Sequence, residues 1–228
     1  MLGHSHATSG ACAWAVAAPA LLPYMGLHPG SRDIVVGTLV CAGAALVPDL
    51  DHHDSTIADF LGPPSEVAAR IVSFLFGGHR NGTHSLLFIL LAGAATLAGV
   101  SQLGRGFLLC TVLVLLALAL KALHLHPPGR GLRVWGTIMA QAAAGTWGVA
   151  QYLPGAPDWL PYAVALGCAV HIAGDCLTPR GCPLLWPVIR HRFEVPVIPR
   201  TGGPVETWLI TPAMAVGTVA AIYVAIGG

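Results

Sequence analysis

The sequence predicts an all-α, polytopic membrane bundle of about seven spans beneath an irregular, proline-rich cytoplasmic cap. Three observations carry that reading. Hydrophobic residues make up 55% of the 228-residue chain. Charged residues make up only 9%, against about 25% in a soluble domain. Apolar runs recur from end to end, separated by short segments rich in proline, glycine and histidine.

The runs follow in order. Residues 11–25 and 34–47 are shorter than the ~20 residues of a straight span, so a tilted or partly re-entrant path suits them. Residues 65–76 are amphipathic and read as an interfacial helix. The remaining spans are 86–100, 107–123, 134–152, 160–177 and 207–226. Pro127-Pro128-Gly129 and Pro154-Gly155-Ala156-Pro157 read as turns. Six prolines between Thr178 and Glu206 favour an irregular or β-like cap there, because proline lacks an amide donor. The polar insert 50–83 is too short to fold alone, so 1–228 reads as a single integral-membrane domain. The start of the chain lacks a Lys/Arg-rich segment, which argues against a cleavable signal peptide.

Seven spans put Arg70, Arg80, Arg130, Arg133, Arg180, Arg190, Arg192 and Arg200 on one face, and only Arg32 and Arg105 on the other. The positive-inside rule makes the Arg-rich face cytoplasmic. His4, Asp49, Asp51, His79, His84, His171, Asp175 and Glu206 all fall on that face, as residues of one shared site must. His28 falls on the opposite face. The six cysteines form no Cys-x-x-Cys pair and read as small packing residues.

Three segments carry the chemistry. Asp49 and Asp51 close the second run just after Pro48, which disfavours continued helix. Two carboxylates at an irregular end can bridge or approach neighbouring cations; a solvated acidic turn is the plainer alternative. His52 reads as support to these ligands, while His53 and Asp54 are further donors. His79 and His84 flank Gly82, so a folded-back loop can aim both imidazoles at one cation, with Thr83 or Ser85 capping the next helix. Arg80 offers a planar fork to phosphate oxygens. His171 and Asp175 stand four apart, on one helix face, at a membrane depth where ionisable groups are costly. His4 can fold over the same mouth, and His6 can join it or be ordinary polar tail. Arg190 and Arg192, flanking His191, suit substrate phosphate or anionic headgroups. His124 and His126 read as interfacial. Nitrogen and carboxylate donors without thiolate suit Zn, with Mn or Fe as alternatives.

At these residues the chain resembles the YdjM-like family of LexA-regulated inner-membrane proteins, taken to be metal-dependent hydrolases. The matching stretches are Gly3-His4, Leu46-Val47-Pro48-Asp49-Leu50-Asp51-His52, Gly78-His79-Arg80 with Thr83-His84-Ser85-Leu86-Leu87, His171 through Pro179, Pro183-Leu184-Leu185-Trp186-Pro187, and a Gly-rich turn before Glu206. The family is in turn distantly similar to zinc-dependent phospholipase C and P1 nuclease, all-helical enzymes with a three-zinc cluster. That similarity implies metal ligation by His4, Asp49, Asp51, His79, His84, His171, Asp175 and Glu206.

The expected function is therefore a membrane-embedded, multinuclear metal-dependent hydrolase holding two or three divalent ions. Metal-activated water would cleave a lipid phosphoester or phosphodiester. Asp49 and Asp51 would bridge ions or orient the water, and Arg80, Arg190 and Arg192 would hold substrate oxygens. A metal-ion transporter or sensor is the first rival, but it would need ligands on both faces. A membrane-anchored nuclease is the second, but no aromatic-interleaved basic groove is visible.

Overall fold

A computed structural model of the chain describes residues 1–52, 55–58, 60, 63–129, 131–153 and 158–227. His53, Asp54, Arg130 and the expected turn at 154–157 lie outside the described residues. The helices are α1 (Gly3–Leu21), α2 (Ser31–Ala44), α3 (Pro63–Leu75), α4 (Leu86–Ala122), α5 (Leu132–Tyr152), α6 (Leu160–Cys176) and α7 (Thr211–Gly227). The all-helical bundle expected from composition is present, and no strand occurs among the described residues. Among the described residues, three segments are long and apolar enough to cross a membrane: Ser31–Asp51, Leu86–Ala122 and Val205–Gly227. Leu160–Cys176 is a shorter apolar helix.

α4 is two limbs rather than one rod. Gly104 takes φ +66 and ψ −148, a backbone state that glycine tolerates and a helix cannot continue through. Straight, the 37 residues would reach about 55 Å. Instead both ends return to one side of the bundle. Leu86 N–H donates to Leu184 O in the cap at 2.9 Å, and Lys121 Nζ lies 3.4 Å from Thr56 O. The limbs correspond to the expected spans 86–100 and 107–123.

Small residues set how closely the helices pack. A Cβ on Gly167 of α6 would stand 2.7–2.8 Å from Ala44 Cβ, Ala45 N and Cys41 O of α2. One on Gly43 of α2 would lie 2.0 Å from Leu115 O of α4. Backbones therefore touch where α2 meets its neighbours, the small-residue contact typical of helices in lipid. α2 runs through the centre of the bundle, with Val40, Cys41, Ala42 and Ala44 fully buried.

Polar contacts mark the two ends. At one end Trp159 Nε1 donates to Asp33 Oδ1 at 2.8 Å, Ser31 Oγ donates to Ala225 O at 2.8 Å, and the Arg32 guanidinium covers the Tyr152 ring. The other end gathers the N-terminus, the Asp49–Asp51 turn, the His79–His84 loop and the end of α6. α3 lies beside this end with Val67, Ile71, Phe74 and Leu75 exposed, as an interfacial helix should. The stretch after α6 forms the expected cap. It has a single antiparallel bridge, Cys182 with Phe193, and is tied to α6 by Val195 N–H to Cys176 O (2.8 Å) and Ile198 N–H to Leu177 O (2.9 Å).

Candidate metal centre

The centre is assembled from segment ends. Pro48 helps convert the end of α2 into the short 3-10 turn Val47–Asp51, which carries Asp49 and Asp51. The loop after α3 turns back through positive φ at Gly77, Gly78 and Arg80, then delivers His79 and His84. Ser85 caps α4 through its hydroxyl, accepting from Phe88 N–H at 3.3 Å. His171 and Asp175 project from the last turns of α6.

For neutral rings, hydrogen bonding around the imidazoles assigns the lone pair to one nitrogen of each. His171 Nδ1 donates to Ala45 O at 2.7 Å, so its Nε2 is bare. Thr83 Oγ1 donates its one proton to Asp51 Oδ2. The same oxygen therefore accepts from His84 Nδ1 at 2.9 Å, and His84 Nε2 is bare as well. His79 Nδ1 donates to Asp51 Oδ1 at 2.9 Å, leaving its Nε2 as the lone-pair atom. Backbone carbonyl or carboxylate partners on Nδ1 are the orienting pattern of metal-binding histidines.

The bare atoms converge. His84 Nε2 lies 3.2 Å from His171 Nε2, 3.7 Å from Asp49 Oδ1 and 3.5 Å from Asp175 Oδ2. His171 Nε2 lies 3.6 Å from Asp49 Oδ1 and 3.8 Å from Asp175 Oδ2. Ion-paired hydrogen bonds to a protonated imidazole would be shorter, about 2.7–2.9 Å. Ligand bonds of ~2.0–2.1 Å at tetrahedral angles put neighbouring ligand atoms ~3.3 Å apart. Asp175 Oδ2 is buried and has no hydrogen-bond partner among the described residues, which is costly for a carboxylate oxygen unless a cation faces it. The donor set and its spacing thus fit a divalent ion. Among the described residues, three overlapping groups bring their ligand atoms within 4.8 Å of one another: His6, Asp49 and His171; Asp49, His79 and His84; His84, His171 and Asp175.

Five of the eight expected ligands, Asp49, His79, His84, His171 and Asp175, meet here. The other three, Asp51, Glu206 and His4, fall outside these groups. Asp51 accepts from His79, Thr83 and the Arg80 N–H (3.1 Å), and stands behind the histidines. Glu206 is buried but its oxygens accept from Leu2 N–H (2.6 Å) and Gly202 N–H (2.8 Å), clamping the start of the chain. His4 points toward His124, with ring centroids 6.5 Å apart. His6 takes its place, stacked on His171 at 3.7 Å with Nε2 at 3.4 Å from Asp175 Oδ1. The reason is helical phase. α1 begins at Gly3 rather than near residue 11, so His4 and His6 lie on a helix, where residues two apart face different directions.

The arginines are likewise reassigned. Arg80 is buried, with Nη2 2.9 Å from Asp175 Oδ1, where Met1 N also bonds. It neutralises that carboxylate and also reaches a cavity of about 620 Å³ over the cluster. Arg180 and Arg200 line this cavity with Asp49, His52 and His79, whereas Arg190 and Arg192 do not. Both are exposed on the cap, and Arg192 bonds Arg180 O at 3.4 Å. His52 meets the His79 ring edge-on at 4.3 Å, which matches a supporting role. Sequence reading left out Arg180, Arg200 and the orienting hydroxyl of Thr83. Thr83 carried only a capping signal, and the two arginines sit among other cap arginines without a distinguishing pattern.

A family model described as YdjM inner membrane protein matches residues 1–227. The chain belongs to the YdjM inner membrane protein family. It is 29% identical over 165 residues to inner membrane protein YdjM of Escherichia coli (strain K12), covering 72% of this chain and 56% of that relative. The Shigella flexneri protein of the same name matches to the same extent. The chain thus spans about half the length of the curated relatives it matches. No solved structure matches it. Family membership and the apolar helices together make this YdjM family member an integral inner-membrane protein.

Proposed function

We propose that this YdjM family member is a metal-dependent hydrolase of a lipid phosphoester or phosphodiester, working at the cytoplasmic surface of the membrane. The observation that carries the reading is the convergence of His84 Nε2, His171 Nε2, Asp49 Oδ1 and Asp175 Oδ2 at cation-ligand spacing, with the Nδ1 atom of each imidazole held by a hydrogen bond elsewhere. Two or three Zn ions suit the overlapping ligand groups, with Mn or Fe as alternatives. Such ions, when bound, supply Lewis acidity and acidify water near neutral pH.

The chain's own residues supply the rest. Asp51 and Thr83 hold His79 and His84 in orientation. Asp49 is the cluster carboxylate most open to the cavity, with its side chain 20% exposed against 1% for Asp175, so it is placed to take a proton from an attacking water. Arg180 and Arg200 at the cavity wall attract an anionic ester, and the nearby Arg80 guanidinium meets its oxygens. The apolar edge of α3 beside the mouth supports a substrate drawn from the bilayer. The excess of arginine at this end supports the cytoplasmic assignment.

The test is elemental analysis of detergent-purified protein together with hydrolysis of bis-p-nitrophenyl phosphate, a soluble diester. Bound metal and turnover in the wild type, both lost in Asp49→Ala and His171→Ala, are the expected result. Wild-type protein that takes up neither Zn nor Mn overturns the reading.

A further inference from the structure

The cap carries an apolar surface that the metal centre does not use. Leu185, Val188 and Ile189 are exposed on it, Val188 to 88%. They share one turn, closed by Trp186 N–H to Pro183 O and Ile189 N–H to Leu185 O, both 3.0 Å. Single apolar residues on a surface are ordinary, but a contiguous group marks an interaction site.

What the turn rests on fixes its depth. Leu86 N–H, at the start of α4, donates to Leu184 O at 2.9 Å. α4 is long and apolar enough to cross a membrane, and Leu86, Leu87, Leu90 and Leu91 are exposed along its first limb. The turn therefore sits where the chain enters the bilayer, and its apolar surface continues the lipid-facing surface of α4. Phe76, just past α3, joins the same place. Its ring lies 6.2 Å from that of Trp186 and 5.9 Å, edge-on, from that of Phe88. Tryptophan is enriched at this depth, between headgroups and acyl chains. Phe74 and Leu75 extend the exposed surface on the α3 side, Phe74 to 86%.

The loop that carries His79 and His84 runs between these two elements. Gly82, within that loop, packs against both aromatic rings: a Cβ there would stand 3.0 Å from Trp186 Cζ3 and 2.6 Å from Phe76 Cδ1. The rings that join the cap to the end of α3 thus also back the segment holding two of the clustered histidines.

We infer that the cap turn 185–189 and the end of α3 are immersed together in the adjacent leaflet, so that lipid acyl chains border the loop carrying His79 and His84. The occupant is lipid because the surface is continuous with α4; a protein partner could cover it only by displacing the bilayer from that helix. Immersion of the cap turn goes beyond the hydrolase reading and does not depend on it.

Photocrosslinking of the full chain in dioleoyl phosphatidylcholine vesicles tests this. Val188→p-benzoylphenylalanine and Phe74→p-benzoylphenylalanine are the two probes, and Leu90→p-benzoylphenylalanine, on the exposed face of α4, is the lipid-facing reference. On irradiation the benzophenone carbonyl inserts into a neighbouring C–H bond, forming a C–C bond and an alcohol with no atom lost. Intact-mass spectrometry should show an added mass of one phosphatidylcholine at all three positions, in comparable yield. Ile189→p-benzoylphenylalanine replaces the Val188 probe if that variant does not fold. A lipid adduct at position 90 with none at 188 or 189 would put the cap turn in water and overturn the inference. A crosslink from position 188 to a second copy or to another protein would overturn it in favour of a protein partner. No turnover is measured, so a protein without hydrolase activity gives the same answer.

Discussion

His84 and His171 face each other through Nε2 atoms 3.2 Å apart, and as neutral rings neither has a proton to give the other. Each proton sits on the far nitrogen, held there by Ala45 O for His171 and by the Thr83–Asp51 relay for His84. This arrangement makes the supporting residues as testable as the ligands. Asp51→Asn keeps the shape but presents an amide where a carboxylate accepted from His79 and Thr83. Metal affinity should fall about 10–100-fold, the usual effect of removing an orienting partner. Competition with a chromophoric chelator measures it. Thr83→Ser should stay close to wild type and Thr83→Ala should fall between; unchanged affinity in Asp51→Asn would mean that the relay does not set the tautomers.

His6 and His4 separate the structure from the sequence pattern. His6→Ala should lower metal content, because His6 stacks on His171 and approaches Asp175. His4→Ala should leave metal content unchanged, because His4 lies toward His124, outside the converging groups. Elemental analysis of the two variants decides between the two placements. Metal loss only in the His4 variant would restore His4 as the ligand.

The membrane class, the interfacial helix α3 and the gathering of His and Asp at one end were legible because they depend on composition, amphipathic period and chain parity. Those quantities survive small errors in helix boundaries. The identity of individual ligands does not. Beginning α1 at Gly3 rather than near residue 11 changes which of His4 and His6 faces inward, and apolar counting misses a first turn made of Gly, His and Ser. Asp51 and Glu206 look like ligands by residue type, yet their oxygens accept hydrogen bonds from neighbours and lie outside the converging groups. No sequence rule distinguishes a carboxylate facing a cation from one facing an amide. The cap arginines pose the same difficulty, since an irregular segment has no period from which direction can be read.

Glu206 provides a check on that distinction. Glu206→Ala leaves Leu2 N–H and Gly202 N–H without their acceptor, at a cost of about 1–3 kcal/mol for a lost buried hydrogen-bonding group. Thermal unfolding in detergent should show the lower stability, while metal per folded chain stays constant. A stoichiometric loss of metal at unchanged stability would make Glu206 a ligand.

Gly167 couples helix packing to the centre. Its missing Cβ lets α6 approach α2 closely enough for His171 to bond Ala45 O, one helical turn farther along. Gly167→Ala should therefore destabilise by about 1–3 kcal/mol, as overpacked cores do, and should also weaken metal retention. Gly148→Ala on α5 is the control, because a Cβ there meets nothing within 4 Å. Equal melting temperatures for the two variants would remove the link between this contact and the site.

Arg180 and Arg200 test which part of the cap meets substrate. Both line the cavity over Asp49, whereas Arg190 and Arg192 face outward. Alanine at Arg180 or Arg200 should raise KM for an anionic ester several-fold, about 1 kcal/mol or more per lost charged contact, with a smaller effect on kcat. Higher salt should weaken wild-type binding more than that of either variant, since screening acts on the charge that the variant has already lost. Alanine at Arg190 or Arg192 should leave both parameters within experimental scatter. Steady-state kinetics across a salt series separates the pairs. A KM effect confined to Arg190 and Arg192 would place the substrate on the outer surface of the cap instead of in the cavity above Asp49.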